Sequence, residues 1–420
     1  MPGAPRIVIL GGGFAGLESA FVLRSRLGAD ARITIVSDRR EFLFKPNTIY
    51  IPFGADVDSL LIPLAKPARK RDIELVIGRV EDVDPDRRRV RAGGDELAWD
   101  HLVIATGSGM RPEEIPGLRE HAETIWTPEQ MSSLGARLAS VDAEARRGRR
   151  QRILFSVPHG NKCAGPLYEI VLMVDTWLRR RSLRSAVDVT FATYEDGYIQ
   201  AFGPKLDEVV SAEFERREIA GLRGRRVESV DAGRVRLADG DTLECDLHVT
   251  FPPYVAAVEY PHFPRDERGF LLTEPASRRV SGHDRVFAPG DAGDFPVKQA
   301  FLAFLQADAV ADHIAADVRG REPGIDFEPT SMCVMEEFDK ATFAQVPLRV
   351  TGDPNHPVAV RADANGAYRV GVSPAWRIGK KMLGLYLPIR FRSGKPFHAG
   401  VPWQAMEAGL KVMSAALARR

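Results

Sequence analysis

The stretch Arg6-Ile7-Val8-Ile9-Leu10-Gly11-Gly12-Gly13-Phe14-Ala15-Gly16 decides the fold: an apolar run, spaced glycines, then the helical pattern Leu17 to Leu27. Strand, GxGxxG and helix in that order form a dinucleotide loop. Gly11 permits the tight turn, Gly13 lets the backbone approach a pyrophosphate, and Gly16 allows close helix packing. The helix start at Phe14 and Ala15 offers free N–H groups to the anion. Ser37-Asp38 ends the next apolar run, Ile33 to Val36, where an acidic residue is expected to hold a ribose hydroxyl.

Outward from this loop, short apolar runs (Leu102 to Ile104, Ile153 to Val157, Val187 to Ala192, Leu247 to Phe251, Val286 to Ala288) alternate with helix-like segments. That is the pattern of parallel α/β units. The basic stretch Arg146-Arg147-Gly148-Arg149-Arg150 reads as a solvated linker. The 420 residues allow two or three domains, and 44% apolar against 27% charged residues is an ordinary globular balance. A net charge of +1 offers no field to hold a polyanion, so no nucleic-acid partner is expected. No apolar run is long enough to span a bilayer, and no export signal is expected. Three cysteines, Cys163, Cys245 and Cys333, cannot make a disulfide framework. Cys245, at a strand start, reads as a buried small residue.

Two further motifs fall in register. Ala105-Thr106-Gly107 closes the run Leu102 to Ile104, and Gly290-Asp291 follows Val286 to Ala288 just before the apolar helix Gln299 to Ile314. With the first loop they resemble flavoproteins with two dinucleotide-binding domains, over Arg6 to about Arg319. The resemblance implies an FAD-binding domain of residues 1–112 and 280–320, a second Rossmann-like domain of 113–279, and a quinone- and membrane-interacting region of 321–420. It also implies that Gly11, Gly13, Gly16 and Asp38 bind the ADP half of FAD, that Ala105, Thr106 and Gly107 lie near the flavin, and that Gly290 and Asp291 meet the ribityl chain. Asp291 is expected to open a helix whose N-terminus faces the flavin.

In pyridine-nucleotide members the second domain repeats the glycine loop. Here Ile153 to Val157 runs into Pro158-His159-Gly160-Asn161-Lys162-Cys163-Ala164-Gly165-Pro166, with the glycine spacing gone and a thiol in the turn. Pro166 suits a first helical turn. A cysteine at a helix N-terminus beside Lys162 is in the setting that lowers a thiol pKa. A metal held by His159 and Cys163 finds no second His/Cys cluster, so no metal is expected.

Cys163-Ala164-Gly165-Pro166-Leu167-Tyr168-Glu169 and Ser331-Met332-Cys333-Val334-Met335-Glu336 resemble the redox-cysteine segments of sulfide:quinone oxidoreductases, as do Phe44-Lys45-Pro46-Asn47 and the placement of Lys298. That resemblance implies FAD beside a Cys163/Cys333 pair, Glu169 and Lys298 in the catalytic machinery, sulfide or polysulfide as substrate, and quinone as acceptor. It departs where many members carry a third cysteine, here Trp126, and where proton-moving histidines fall at Gln130 and Ala201. Flavocytochrome-c-type sulfide dehydrogenases, type II NADH:quinone oxidoreductases and an FAD-binding redox sensor are the alternatives.

The tail Arg377 to Arg420 holds nine basic residues against Glu407 alone. Trp403, Met406, Leu410, Met413 and Leu417 recur at helical spacing, and Met382 to Phe391 is apolar. This resembles an in-plane amphipathic anchor. The expectation is a peripheral protein of the prokaryotic cytoplasmic membrane, with room for a homo-oligomer.

Overall fold

The computed structural model describes residues 3–364 and 366–418. Its first sheet is parallel and built around β1 (Arg6–Leu10), flanked by β2 (Arg32–Ser37) and β3 (His101–Ile104), with Glu74–Ile77 and Val286–Phe287 at the edges. Ile7 to Leu10 are buried on both faces, which is why this strand reads as continuous apolar sequence rather than alternation. Helix α1 (Phe14–Leu27) leaves the carboxyl end of β1. Gly11 has φ +117°, and a Cβ there would lie 2.2 Å from the Ala105 carbonyl oxygen. A Cβ on Gly16 would lie 1.9 Å from the Gly11 oxygen, so the helix can seat only on glycine.

The second sheet is also parallel. It runs Glu123–Thr124, Leu247–Thr250, β4 (Gln151–Val157), β5 (Val187–Thr193), Ala220–Leu222. The basic stretch before β4 is a solvated turn whose arginines pair with Asp142, Glu144 and Asp188. Helix α2 (Gly165–Arg180) follows β4, with Pro166 in its first turn as expected. Two doubly wound parallel sheets give the α/β class predicted from the alternating runs.

Helix α3 (Ala300–Arg319) returns to the first sheet and packs on α1. It corrects the expectation for Asp291. Gly290–Ala292 is a separate single turn, and the long helix starts at Ala300 after an extended Gln299, so Asp291 opens no long helix.

Beyond residue 321 the chain folds into an antiparallel sheet that the sequence pattern did not announce. β6 (Thr330–Glu336) pairs with β7 (Ala341–Val350), and Arg369–Ser373 pairs with the other edge of β7. Fully buried Arg217 pins the hairpin tip to the second domain, donating to Asp175 at 2.9 Å and Glu337 at 2.8 Å.

Helices α4 (Pro374–Arg392) and α5 (Val401–Leu417) complete the structure, and no described helix is long and apolar enough to cross a membrane. The connecting segment is tied to the first domain: the Glu18 carboxylate accepts from the Phe397 N–H at 2.8 Å, and His398 Nδ1 lies 2.5 Å from Asp308. The stripe predicted to meet lipid turns largely inward. Trp403 and Met406 pack against the first-domain core, and Leu410 and Met413 against Phe343 and Trp376. Exposed apolar side chains stand elsewhere, at Ile378, Met382, Leu385 and Ile389 on one side of α4 and at Val401, Val412 and Leu417 on α5. Arg377, Lys380 and Arg390 bond internal acceptors; Lys381, Arg392 and Lys395 face outward, and Arg419 and Arg420 lie outside the described residues.

Candidate functional site

A cavity of 890 Å³ opens at the carboxyl ends of both parallel sheets. Ligands of doubly wound folds bind at this place because helix N-termini and loop amides converge there. Its wall includes Gly11, Gly13, Phe14, Ala15, Ser37, Asp38, Ala105, Thr106, Gly107 and Asp291, and also Cys163, Glu169, Lys298 and Cys333. Two predicted contacts lie off the wall. Gly16 is spent on the turn, and Gly290 packs between helices, where a Cβ would meet Ala15 at 2.9 Å and Ala303 at 3.3 Å.

The cradle suits a dinucleotide. A Cβ on Gly13 would have nothing within 4 Å, so that side of the loop is open to a ligand. Thr106 accepts from the Tyr260 hydroxyl at 3.3 Å, and Asp291 accepts from the Ser108 hydroxyl at 3.1 Å. Burial pushes the Asp291 carboxyl up, against the opposing pull of Lys298. Lys298 is itself buried over the Phe270 ring at 3.7 Å and is pushed down to about 7, chiefly by desolvation.

Cys163 and Cys333 stand 170 positions apart in the chain, yet both line this cavity as free thiols. The Cys163 N–H donates to Asn161 Oδ1 at 2.9 Å, and Asn161 in turn donates to the Phe251 carbonyl at 2.8 Å, fixing the turn after β4. Cys333 projects from β6, whose neighbours Ser331 and Met332 bond the Gln299 side chain at 2.9 and 3.2 Å. The expected low thiol pKa is not found. Burial, with Asp291 nearby, pushes Cys163 up to about 12, outweighing the Gly165 N–H and a hydrogen bond from the Tyr254 hydroxyl. Burial and the neighbouring Cys163 push Cys333 to about 12 as well. Lys162 is drawn away toward the Phe270 ring, 5.8 Å from its centroid.

Glu169, on α2, holds a structural junction beside Cys333. It accepts from the Glu336 N–H at 2.7 Å and pairs with half-buried Lys380, which also donates to the Val334 carbonyl at 2.8 Å. Burial pushes Lys380 down to about 7. His159 stacks edge-on against Tyr194, and burial pulls its pKa down. Gln130 completes a capping box with Thr127 at the start of a helix. Cys245 is buried in a separate apolar cluster, as the sequence suggested.

Trp126, expected at the place where many relatives carry a third cysteine, is a cavity wall residue. Trp126 lies between Lys45, 3.1 Å from its ring centroid, and the rings of Phe251 and Tyr254 at 5.8 and 5.7 Å. Tyr254, Glu195 and Lys380 belong to no motif and reach the cavity only through the tertiary fold.

Residues 5–154 match the family model described as pyridine nucleotide-disulphide oxidoreductase. The sulfide-quinone reductase of Aquifex aeolicus is 26% identical over 365 residues, covering 81% of this chain and 83% of its own. A type II NADH:quinone oxidoreductase of Mycobacterium tuberculosis is 24% identical, covering 82% and 78%. The crystal structure of the Aquifex aeolicus sulfide:quinone oxidoreductase superposes with a TM-score of 0.83 at 22% identity, covering 99% and 97%. The chain thus carries the fold of the pyridine nucleotide-disulphide oxidoreductases and is similar, over most of its length, to sulfide:quinone oxidoreductases.

Proposed function

We propose that the chain is an FAD-dependent oxidoreductase that oxidises sulfide, or a related small sulfur compound, through Cys163 and Cys333 and passes two electrons to a membrane quinone. The observation that carries this reading is one cavity wall holding both thiols and the dinucleotide loop. FAD, when bound, supplies a two-electron acceptor. The loop residues Gly11 to Ala15 and Asp38 would hold its ADP half, with Thr106, Gly107 and Asp291 toward the flavin.

In this reading hydrosulfide attacks a Cys163–Cys333 disulfide. One cysteine gains the sulfur as a persulfide, the S–S bond breaks, and the other leaves as a thiolate. Lys298, buried near Asp291 and pushed down to about 7 by desolvation, would hold a proton at the flavin. Leu383, Leu387, Phe397 and Trp403 also line the cavity, and with Lys380, on the same helix as the first two, they would form an apolar slot with a proton donor for a quinone. The exposed apolar residues of α4, beside Lys381, Arg392 and Lys395, would rest on the bilayer that supplies it.

Similarity to NADH:quinone oxidoreductases keeps NADH as the second donor to test. The turn Pro158 to Ala164 lacks the spaced glycines for its pyrophosphate. Anaerobic addition of sulfide to the purified yellow protein is expected to bleach the flavin, and Cys163→Ala or Cys333→Ala to abolish this. Bleaching by NADH alone, or by sulfide in both variants, would overturn the reading.

A further inference from the structure

Neighbouring parallel strands deliver two chemical groups to one edge of the second sheet. β4 and β5 pair with Val157 opposite Thr193. Cys163 follows the first strand and Glu195 the second, and both line the same cavity. Asn161 ties the Cys163 turn to the residue before Glu195: its side chain accepts from the Cys163 N–H at 2.9 Å and its carbonyl accepts from the Tyr194 hydroxyl at 3.5 Å. The same cavity wall includes Ile199, Ala201, Phe202 and Val358, with the polar Tyr194, Gln200 and Asn355 around Glu195.

Glu195 is only 9% exposed. Its carboxylate accepts from Thr193 Oγ1 at 3.0 Å, the Gln200 N–H at 3.0 Å and the Tyr168 hydroxyl at 3.4 Å. No ion pair among the described residues holds it charged, and the charged group acting on it is another acid, Asp207 on the following helix. The groups facing it from α2 and β5 are the neutral hydroxyls of Tyr168 and Thr193. A buried carboxylate oriented by three neutral donors, with no cation, suits taking up and releasing a proton rather than holding a salt bridge.

We propose that Glu195 is the base that deprotonates the sulfur substrate in this cavity. The proposal rests on the sulfide reading above. Dihydrogen sulfide is neutral and enters a buried cavity more cheaply than its anion, but only the anion attacks a disulfide. In the step, one S–H bond of dihydrogen sulfide breaks, an O–H bond forms on Glu195, and the electron pair stays on sulfur as hydrosulfide. Nothing is oxidised, and the proton leaves to solvent when the carboxyl ionises again. Burial sets the Glu195 carboxyl at about 7, where it exchanges protons near neutrality.

The test is anaerobic stopped-flow reduction of the bound flavin by sulfide across the pH range, in wild type and Glu195→Gln. The variant is expected to be slower by about tenfold near pH 7, where about half of the wild-type carboxyl is ionised, and to approach wild type in alkaline buffer, where hydrosulfide is abundant in the bulk. An equal loss at every pH, as for a merely structural residue, or no loss at all, would overturn the proposal. Thr193→Val provides a second test if Glu195→Gln does not fold. Removing a donor to the ionised carboxylate is expected to move the acid limb of the rate profile to higher pH, and an unmoved limb would overturn the assignment. A wild type that sulfide does not reduce at any pH would instead refute the sulfide reading itself.

Discussion

The Lys45 ammonium lies 3.1 Å from the centroid of the Trp126 ring, closing one wall of the cavity. Desolvation pushes Lys45 down to about 7, with Asp291 opposing the shift. The cation–π contact is therefore made below that pH and fades above it. The fluorescence difference between wild type and Trp126→Phe is expected to titrate near neutrality, and Lys45→Met to flatten it.

Both cavity thiols are pushed to about 12. Alkylation of reduced native protein at about pH 8 is expected to run on the order of a thousandfold slower than for the same cysteines in the unfolded chain. Tyr254→Phe should slow Cys163 further, since a donor to its thiolate is lost. Rates matching the unfolded chain would contradict the burial argument.

His248 is fully buried beside the Ser156 hydroxyl, 2.7 Å away, and burial pushes its imidazole down to about 3. Below its ordinary value of 6.5 the unfolded chain binds a proton that the folded chain refuses. Stability present above 6.5 is thus lost as pH falls toward 3, by up to about 1.4 kcal/mol per pH unit. Urea titrations at several pH values check this, and His248→Gln should remove that slope.

Arg217 neutralises Asp175 and Glu337, both wholly buried. Arg217→Met leaves buried Glu337 with only Lys340 at 3.9 Å, while Asp175 keeps Arg179 and Arg184, and is expected to cost about 3–5 kcal/mol, read as a lower denaturation midpoint. Arg217→Lys should recover only part of this, because a point charge cannot span the acids that a guanidinium fork reaches.

Leu385 and Ile389 are 70% and 60% exposed on the same side of α4. Replacing both with Asp is expected to abolish sedimentation with anionic vesicles while leaving the far-UV spectrum unchanged. Equal sedimentation would move the membrane contact elsewhere.

The dinucleotide loop was legible because its determinants are local: Gly11 and Gly16 are required by contacts within one strand–turn–helix unit. Cys333 beside Cys163 was legible only through family resemblance, since no spacing rule brings residues 170 positions apart together. The final sheet escaped because β6 mixes buried and half-buried residues without clean alternation and β7 contains Pro347. The apolar stripe of α5 was seen, but which side of it meets the core was not, because helical spacing is the same for a membrane face and a packed one. The thiol setting was misread because a helix start and a nearby lysine are visible in sequence, whereas the desolvation that outweighs them is not.

Cys245 is walled off among Leu154, Val230, Val235 and Leu237. That seclusion limits what a thiol reagent can reach: once the second sheet has closed around Cys245, a reagent entering the cavity meets the thiols of Cys163 and Cys333 and no third one.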